Sequence, residues 1–307
     1  MTRPIQGLFP ALATAFDAQG NLDANLQKEL VNRLLAQGAD GFFVCGTTGE
    51  FPVLSLDERE HLLEIVVAEV TGQVPIAVHA GTPRVEDAVR LAQHAARIGA
   101  QAISTVPPYY YAHRVSATLD YLDEIATATD LPFYYYHIPE CTGQTIDTRF
   151  LEKLLTLPNF AGLKFSDTNF SLFQELKDFA GPDCQFVCGV DTMFLSSLLL
   201  GAEGAVGSTF NLLLPLFRKL WKAHRSDDIN AAHEHQLRAN HVINLLNRHP
   251  HIAAVKESLR LLDLDIGEPR RPLSRLSPQE KSRFAEALTK INVWEIDGIL
   301  PTIQNRS

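Results

Sequence analysis

The sequence predicts a (β/α)₈ barrel with a helical extension at its C-terminal end. Three observations predict it. Short apolar runs recur along most of the chain, each followed by a turn and an amphipathic stretch. The runs are continuous rather than alternating, as in strands buried on both faces of a parallel sheet. Past Asn211 the strand-like runs stop and only helical periodicity remains. The alternative is a doubly wound open sheet. It would be favoured by a glycine-rich dinucleotide loop after the first strand, and the stretch 8–17 contains none.

The strand candidates are 8–14, 41–45, 75–79, 102–106, 132–136, 161–164, 185–189 and 205–208. Between them, 26–35, 56–70, 85–98 and 119–128 carry apolar residues at helical spacing with charge on the opposite side. Ser55 before Leu56, with Glu58 three residues on, reads as a capping box. Asp147 opens the helix before Leu151, and Asp167 or Asn169 caps the next. From Pro215 to Val293 the periodicity is helical, punctuated by Pro250, Pro269, Pro272 and Pro278. The predicted organisation is therefore a catalytic barrel over 1–225 and a helical extension over 226–307.

With 307 residues, 46% of them hydrophobic, the chain can bury a large core, and a single barrel of about 250 residues plus extensions accounts for it. The net charge of -9, with no basic run, argues against nucleic acid and anionic membrane as partners. The opening MTRPIQGLFP has no apolar signal core, and apolar stretches fall well short of the ~20 residues that span a bilayer. The expectation is a cytoplasmic protein. Cys45, Cys141, Cys184 and Cys188 then read as reduced thiols, and the close pair Cys184 and Cys188 supplies too few ligands for zinc. His233, His235, His249 and His251 fall in the helical tail, away from the strand ends, and read as solvated or packed side chains. No metal and no cofactor are expected.

Active sites in such barrels lie at the C-terminal ends of the strands, and that rule filters the polar residues. The second strand ends Gly46-Thr47-Thr48-Gly49-Glu50, a loop able to offer N–H and O–H donors to a small carboxylate. The fifth ends Tyr134-Tyr135-Tyr136-His137-Ile138-Pro139; alternation sends Tyr134 and Tyr136 to one side and Tyr135 to the other. Tyr136, nearest the mouth, is placed to shuttle protons. The sixth carries Lys164 within the apolar run Ala161-Gly162-Leu163-Lys164-Phe165. Burial disfavours a charged amine, and a neutral lysine attacks a ketone to give a Schiff base. A lysine with its head in solvent at the rim is the plain alternative. The seventh and eighth strands end Gly189-Val190-Asp191-Thr192 and Gly204-Ala205-Val206-Gly207-Ser208-Thr209, where glycines leave room for a substrate and Asp191 is also a candidate helix cap. The aromatic loop Pro107-Pro108-Tyr109-Tyr110-Tyr111 reads as a lid or a subunit interface.

The motifs Gly46-Thr47-Thr48-Gly49-Glu50, Tyr136-His137-Ile138-Pro139, Gly162-Leu163-Lys164 and Gly189-Val190-Asp191 follow one another along nearly the whole chain. In that order the sequence resembles the N-acetylneuraminate lyase and dihydrodipicolinate synthase family of pyruvate-dependent aldolases. The resemblance implies a barrel with a helical extension in a homotetramer, acting on a 2-keto acid without a cofactor. It implies that Lys164 forms the Schiff base and Tyr136 relays protons. It further implies that Thr47 and Thr48 hold the pyruvate carboxylate, that Tyr110 is lent across a subunit interface, and that Val206 packs against the pyruvate unit.

Within the family, the Gly-Arg-Thr that dihydrodipicolinate synthases carry after the proline is replaced here by Glu140, Cys141 and Thr142, exchanging a cation for an anion. The runs around Lys164 and Ser208 are more similar to those of sialate lyases. That similarity implies that Ser166, Gly189, Asp191, Thr192, Gly207 and Ser208 line the sugar-acid end. Two positions depart from it: Thr192 stands where glutamate is usual, and Glu140 where alanine is usual. The expected activity is cleavage of N-acetylneuraminate to N-acetylmannosamine and pyruvate. The alternatives are another 2-keto acid aldolase, a dihydrodipicolinate synthase-like enzyme, or a non-catalytic sugar-acid-binding protein.

Overall fold

The computed structural model describes residues 4–291. Eight parallel strands run β1 (Gly7–Pro10), β2 (Phe42–Val44), β3 (Ile76–His79), β4 (Ala102–Thr105), β5 (Phe133–His137), β6 (Phe160–Phe165), β7 (Gln185–Cys188) and β8 (Gly204–Gly207). They pair in the order β1-β8-β7-β6-β5-β4-β3-β2. A lone parallel bridge between Ala11 and Phe43 brings β1 to β2, so the sheet forms a nearly closed barrel. Helices alternate with the strands and cover the outside.

The predicted alternation on β5 holds. Tyr134 and Tyr136 pack in the barrel interior with Phe9, Phe43, Ala77, Val187 and Val206, whereas Tyr135 packs in the layer between sheet and helices. At the floor of the barrel the Tyr134 hydroxyl donates to Gln185, whose Nε2 donates to the Ile5 carbonyl at 3.1 Å. The interior is thus filled at this end by side chains of β1, β5 and β7 and their neighbours.

Boundaries differ most from expectation in two places. The first strand stops at Pro10 rather than Thr14, because the amides of Ala13 and Ala15 turn to side-chain acceptors, Asn211 Oδ1 at 3.1 Å and Gln27 Oε1 at 2.9 Å. Helix Val115–Thr127 starts earlier than predicted, with Arg114 before it making no capping bond that could have marked the start. The capping box at Ser55 is formed. Asn169, not Asp167, caps helix Phe170–Ala180.

Beyond the last barrel helix, Phe210–Arg225, come helices Ile229–Leu246, His251–Leu261 and Pro278–Lys290. Residues 292–307 of the expected extension, Val293 included, lie outside the described residues. Among the described residues, no helix is long and apolar enough to cross a membrane.

Candidate active site

Tyr136 and Lys164 sit on adjacent strands and are register partners. Both side chains are nearly fully buried, at 3% exposure. The Lys164 amine lies 3.6 Å from the centroid of the Tyr136 ring and 4.4 Å from that of Phe43. These two rings stand edge to face, 6.0 Å apart, and form an aromatic slot around the amine. The Tyr136 hydroxyl is 3.2 Å from Thr47 Oγ1, which ties it to the loop after β2.

That loop is held in an unusual shape. Cys45 and Glu50, which bracket it, both have left-handed backbone at φ 56 and 61. Such conformations persist only where surroundings enforce them. The Glu50 carboxylate, fully buried, supplies the restraint: it lies 2.7 Å from the Lys256 ammonium and accepts from the Arg270 amide at 2.7 Å. Burial pulls the Lys256 amine below its ordinary value, with Glu50 opposing the shift. Thr14 Oγ1 donates to the Gly49 carbonyl at 2.7 Å from the other side. The amides of Thr47 and Thr48 meet no backbone acceptor among the described residues, so the loop retains donors for an anion.

Above the slot opens a cavity of about 470 Å³, within the range usual for small-molecule sites. It is lined by Thr47, Thr48, Tyr136, Lys164, Ser166, Gly189, Val206 and Ser208, all singled out from the sequence. Glu140, Asp167, Asn247 and His251 line it as well. Among the described residues, Lys164 is the only lysine or arginine lining it. Gly189 is needed for this shape, since a Cβ there would fall 1.8 Å from Ser166 Oγ. A larger cavity of about 810 Å³, beside the segment Gly267 to Arg275, contains no buried amine and no convergent acid–base pair, and its Arg270 is already engaged with Glu58.

Four of the expected residues do not line the cavity. Asp191 lies behind Ser208; its Oδ2 accepts from the Thr209 amide at 2.8 Å and the Thr209 hydroxyl at 2.6 Å. It therefore braces the loop after β8 rather than capping its own turn. Burial raises its pKa, and the Thr209 hydrogen bonds oppose the shift. Gly207 admits that carboxylate, because a Cβ would come 2.8 Å from Asp191 Oδ1. Thr192 lies in the same short turn, its carbonyl accepting from Asn240 Nδ2 at 3.1 Å. Tyr110 is 88% exposed at φ 87, its ring edge to face with Tyr111, and it does not line the cavity of its own chain.

His251 corrects the sequence reading in the other direction. It was expected in the helical tail, away from the strand ends. Helix His251–Leu261 begins over the barrel mouth, and His251 Nε2 lies 2.8 Å from Ser208 Oγ. Burial lowers its pKa, with Asp191 opposing the shift. Beneath the slot, His79 packs on Phe51 and sits edge-on to Tyr136. Burial, then the Arg59 guanidinium and Lys164, hold it well below the ordinary imidazole value.

The model of the dihydrodipicolinate synthetase family matches residues 4–291. The chain belongs to this family. Its members are pyruvate-dependent class I aldolases and lyases. An N-acetylneuraminate lyase of Citrobacter koseri is 36% identical over 265 residues, which cover 86% of this chain and 89% of that protein. The sialic acid aldolase of Ruminococcus gnavus, in the structure of its catalytic lysine mutant, matches with a TM-score of 0.91 at 26% identity, over 94% of this chain and 97% of that one. A dihydrodipicolinate synthase of Bacillus anthracis matches with a TM-score of 0.89 at 25% identity, over 92% of this chain and 97% of that one. Relatives named for both activities thus share the barrel.

Proposed function

We propose that this chain is a Schiff-base aldolase that cleaves a 2-keto-3-deoxy sugar acid, N-acetylneuraminate first among them, to pyruvate and an aldehyde. The observation that carries the reading is the buried Lys164 amine against Tyr136, with Tyr136 linked to Thr47. The amine adds to the C2 ketone, water leaves, and a protonated imine results. Tyr136, having given its own proton to the departing water, takes the proton of the C4 hydroxyl as the phenolate. The C3–C4 bond then breaks, releasing the aldehyde while the electron pair passes into the imine as an enamine. Protonation at C3 and hydrolysis release pyruvate and restore the amine. The Thr47–Thr48 loop fixes the carboxylate and so the attack geometry. Mere sugar-acid binding would need neither the buried amine nor the phenol.

The acidic lining of the cavity favours an uncharged, hydroxylated partner. Glu140 and Asp167 line it and, among the described residues, no arginine does, so an anionic aldehyde would meet like charge. A six-carbon 2-keto-3-deoxy acid is the second reading, favoured by the absence from the cavity lining of Thr192, which stands where sialate lyases usually carry glutamate. Also proposed is a homotetramer in which the exposed Tyr110 of one subunit completes the relay of its neighbour. The test is pyruvate release from N-acetylneuraminate and from the six-carbon acid. Preference for the first supports the sialate reading; a wide preference for the second replaces it.

A further inference from the structure

Ser208 makes its shortest side-chain contact not with Asp191, its neighbour across the strand ends, but with a residue from the C-terminal helices. Ser208 Oγ is 2.8 Å from His251 Nε2 and 3.4 Å from Asp191 Oδ2. Two further contacts set the direction of that bond. His251 Nδ1 faces Asn247 Oδ1 at 3.1 Å; with the amide in this orientation its oxygen accepts, which assigns the ring proton to Nδ1. Asp191 Oδ2 is already occupied by the amide and hydroxyl of Thr209. The lone pair on Nε2 therefore takes the Ser208 proton. The ring is neutral near neutral pH, since burial holds its pKa down. With its hydrogen committed to the ring, Ser208 presents acceptor lone pairs to the cavity, and His251 and Asn247 themselves line that wall.

We infer that His251 is a specificity-determining residue: held by Asn247, it turns Ser208 into an acceptor for a hydroxyl on the tail of the sugar acid. This rests on the aldolase reading above and names the group that reads the non-reacting end of the substrate. The chemistry recognised is a hydroxyl donor several carbons from the keto group. A 2-keto acid without such a tail leaves the Asn247–His251–Ser208 chain unused, and Lys164, Tyr136 and Thr47 bind its pyruvate end as before.

The test compares three probes, N-acetylneuraminate, a six-carbon 2-keto-3-deoxy acid, and 4-hydroxy-2-oxopentanoate, which lacks the hydroxylated tail. For His251→Phe, KM for the better hydroxylated acid should rise roughly 5- to 30-fold, as when one hydrogen bond is left unmade in a desolvated site. The kcat should hold, the pattern of lost ground-state and transition-state binding alike. KM for the short acid should not move. His251→Gln, whose amide oxygen can take the same proton, should restore most of the loss. Pyruvate trapping by borohydride, done in parallel, separates the two levels of failure. If the wild type traps pyruvate and cleaves a hydroxylated acid but His251→Phe shifts all three probes equally or shifts none, the inference is overturned and the aldolase reading stands. If the wild type traps pyruvate but cleaves neither hydroxylated acid, the inference and the sugar-acid reading fall together and only the Schiff-base chemistry stands. If the wild type traps no pyruvate, both are overturned.

Discussion

The Lys164 amine rests 3.6 Å from the centre of the Tyr136 ring, and the two residues are register partners on β6 and β5. The backbone ladder thus fixes the amine and the phenol relative to one another without help from any loop. A site carried on paired strands is held more tightly than one carried on loops. The phenol is also the link between the amine and the carboxylate loop, through Thr47.

Replacing the phenol tests that link. Tyr136→Phe keeps the ring beside Lys164 and removes only the hydroxyl, so imine formation with pyruvate should survive. Carbon–carbon cleavage should slow by about 10²–10⁴-fold, the usual worth of a general acid–base group. Single-turnover measurement of aldehyde release, set beside imine trapping, checks both halves. A loss below about tenfold would move the relay to another group.

Charge at the mouth should set the aldehyde partner. Glu140 is exposed and lines the cavity. Glu140→Arg should raise kcat/KM for condensation of pyruvate with an anionic aldehyde by about 2- to 10-fold, with the gain shrinking at high salt as expected for exposed charges. An unchanged rate, or a gain indifferent to salt, would mean that Glu140 does not face the partner.

Stability should fall on mild acidification. The folded-state pKa of His79 lies below that of the unfolded chain, through burial first and the Arg59 and Lys164 charges next. Between those two values the unfolded chain binds a proton that the folded chain does not, so stability rises with pH through the window and is lost as pH drops below about 6.5. His137 and His251 shift in the same direction. Asp191, whose pKa is raised by burial, acts oppositely in a window that begins at 3.8. Each such imidazole contributes a slope of at most about 1.4 kcal/mol per pH unit. Denaturant unfolding at pH 6.5 and 5.5 should show the fall, and His79→Gln should show less of it. Equal slopes in both proteins would contradict the assignment.

Much of this was legible in the sequence for identifiable reasons. Continuous apolar runs identify buried parallel strands, and period-two alternation put Tyr136 inside and Tyr135 outside, as found. The strand-end rule then made Lys164 a candidate, with a rim lysine in solvent as the plain alternative until its burial decided between them. His251 was misread because its position depends on how the C-terminal helices fold back over the mouth, and no local pattern encodes that return. Nor does any spacing reveal that Glu50 is held by Lys256 and Arg270, residues far along the chain. For Tyr110 the sequence offered an aromatic loop, read as a lid or a subunit interface, and the family resemblance; within one chain the side chain is exposed.

In the proposed reaction Lys164 forms a covalent imine with the keto group of its substrate. The measurement is incubation with pyruvate and borohydride, followed by mass spectrometry of the digested protein, on the wild type and on Lys164→Arg. Arginine stays protonated and cannot form the imine. The account predicts a reduced pyruvate adduct on the peptide carrying Lys164, with adduct and turnover both absent in Lys164→Arg. No adduct on the wild type, an adduct on another lysine, or turnover retained by Lys164→Arg would contradict it.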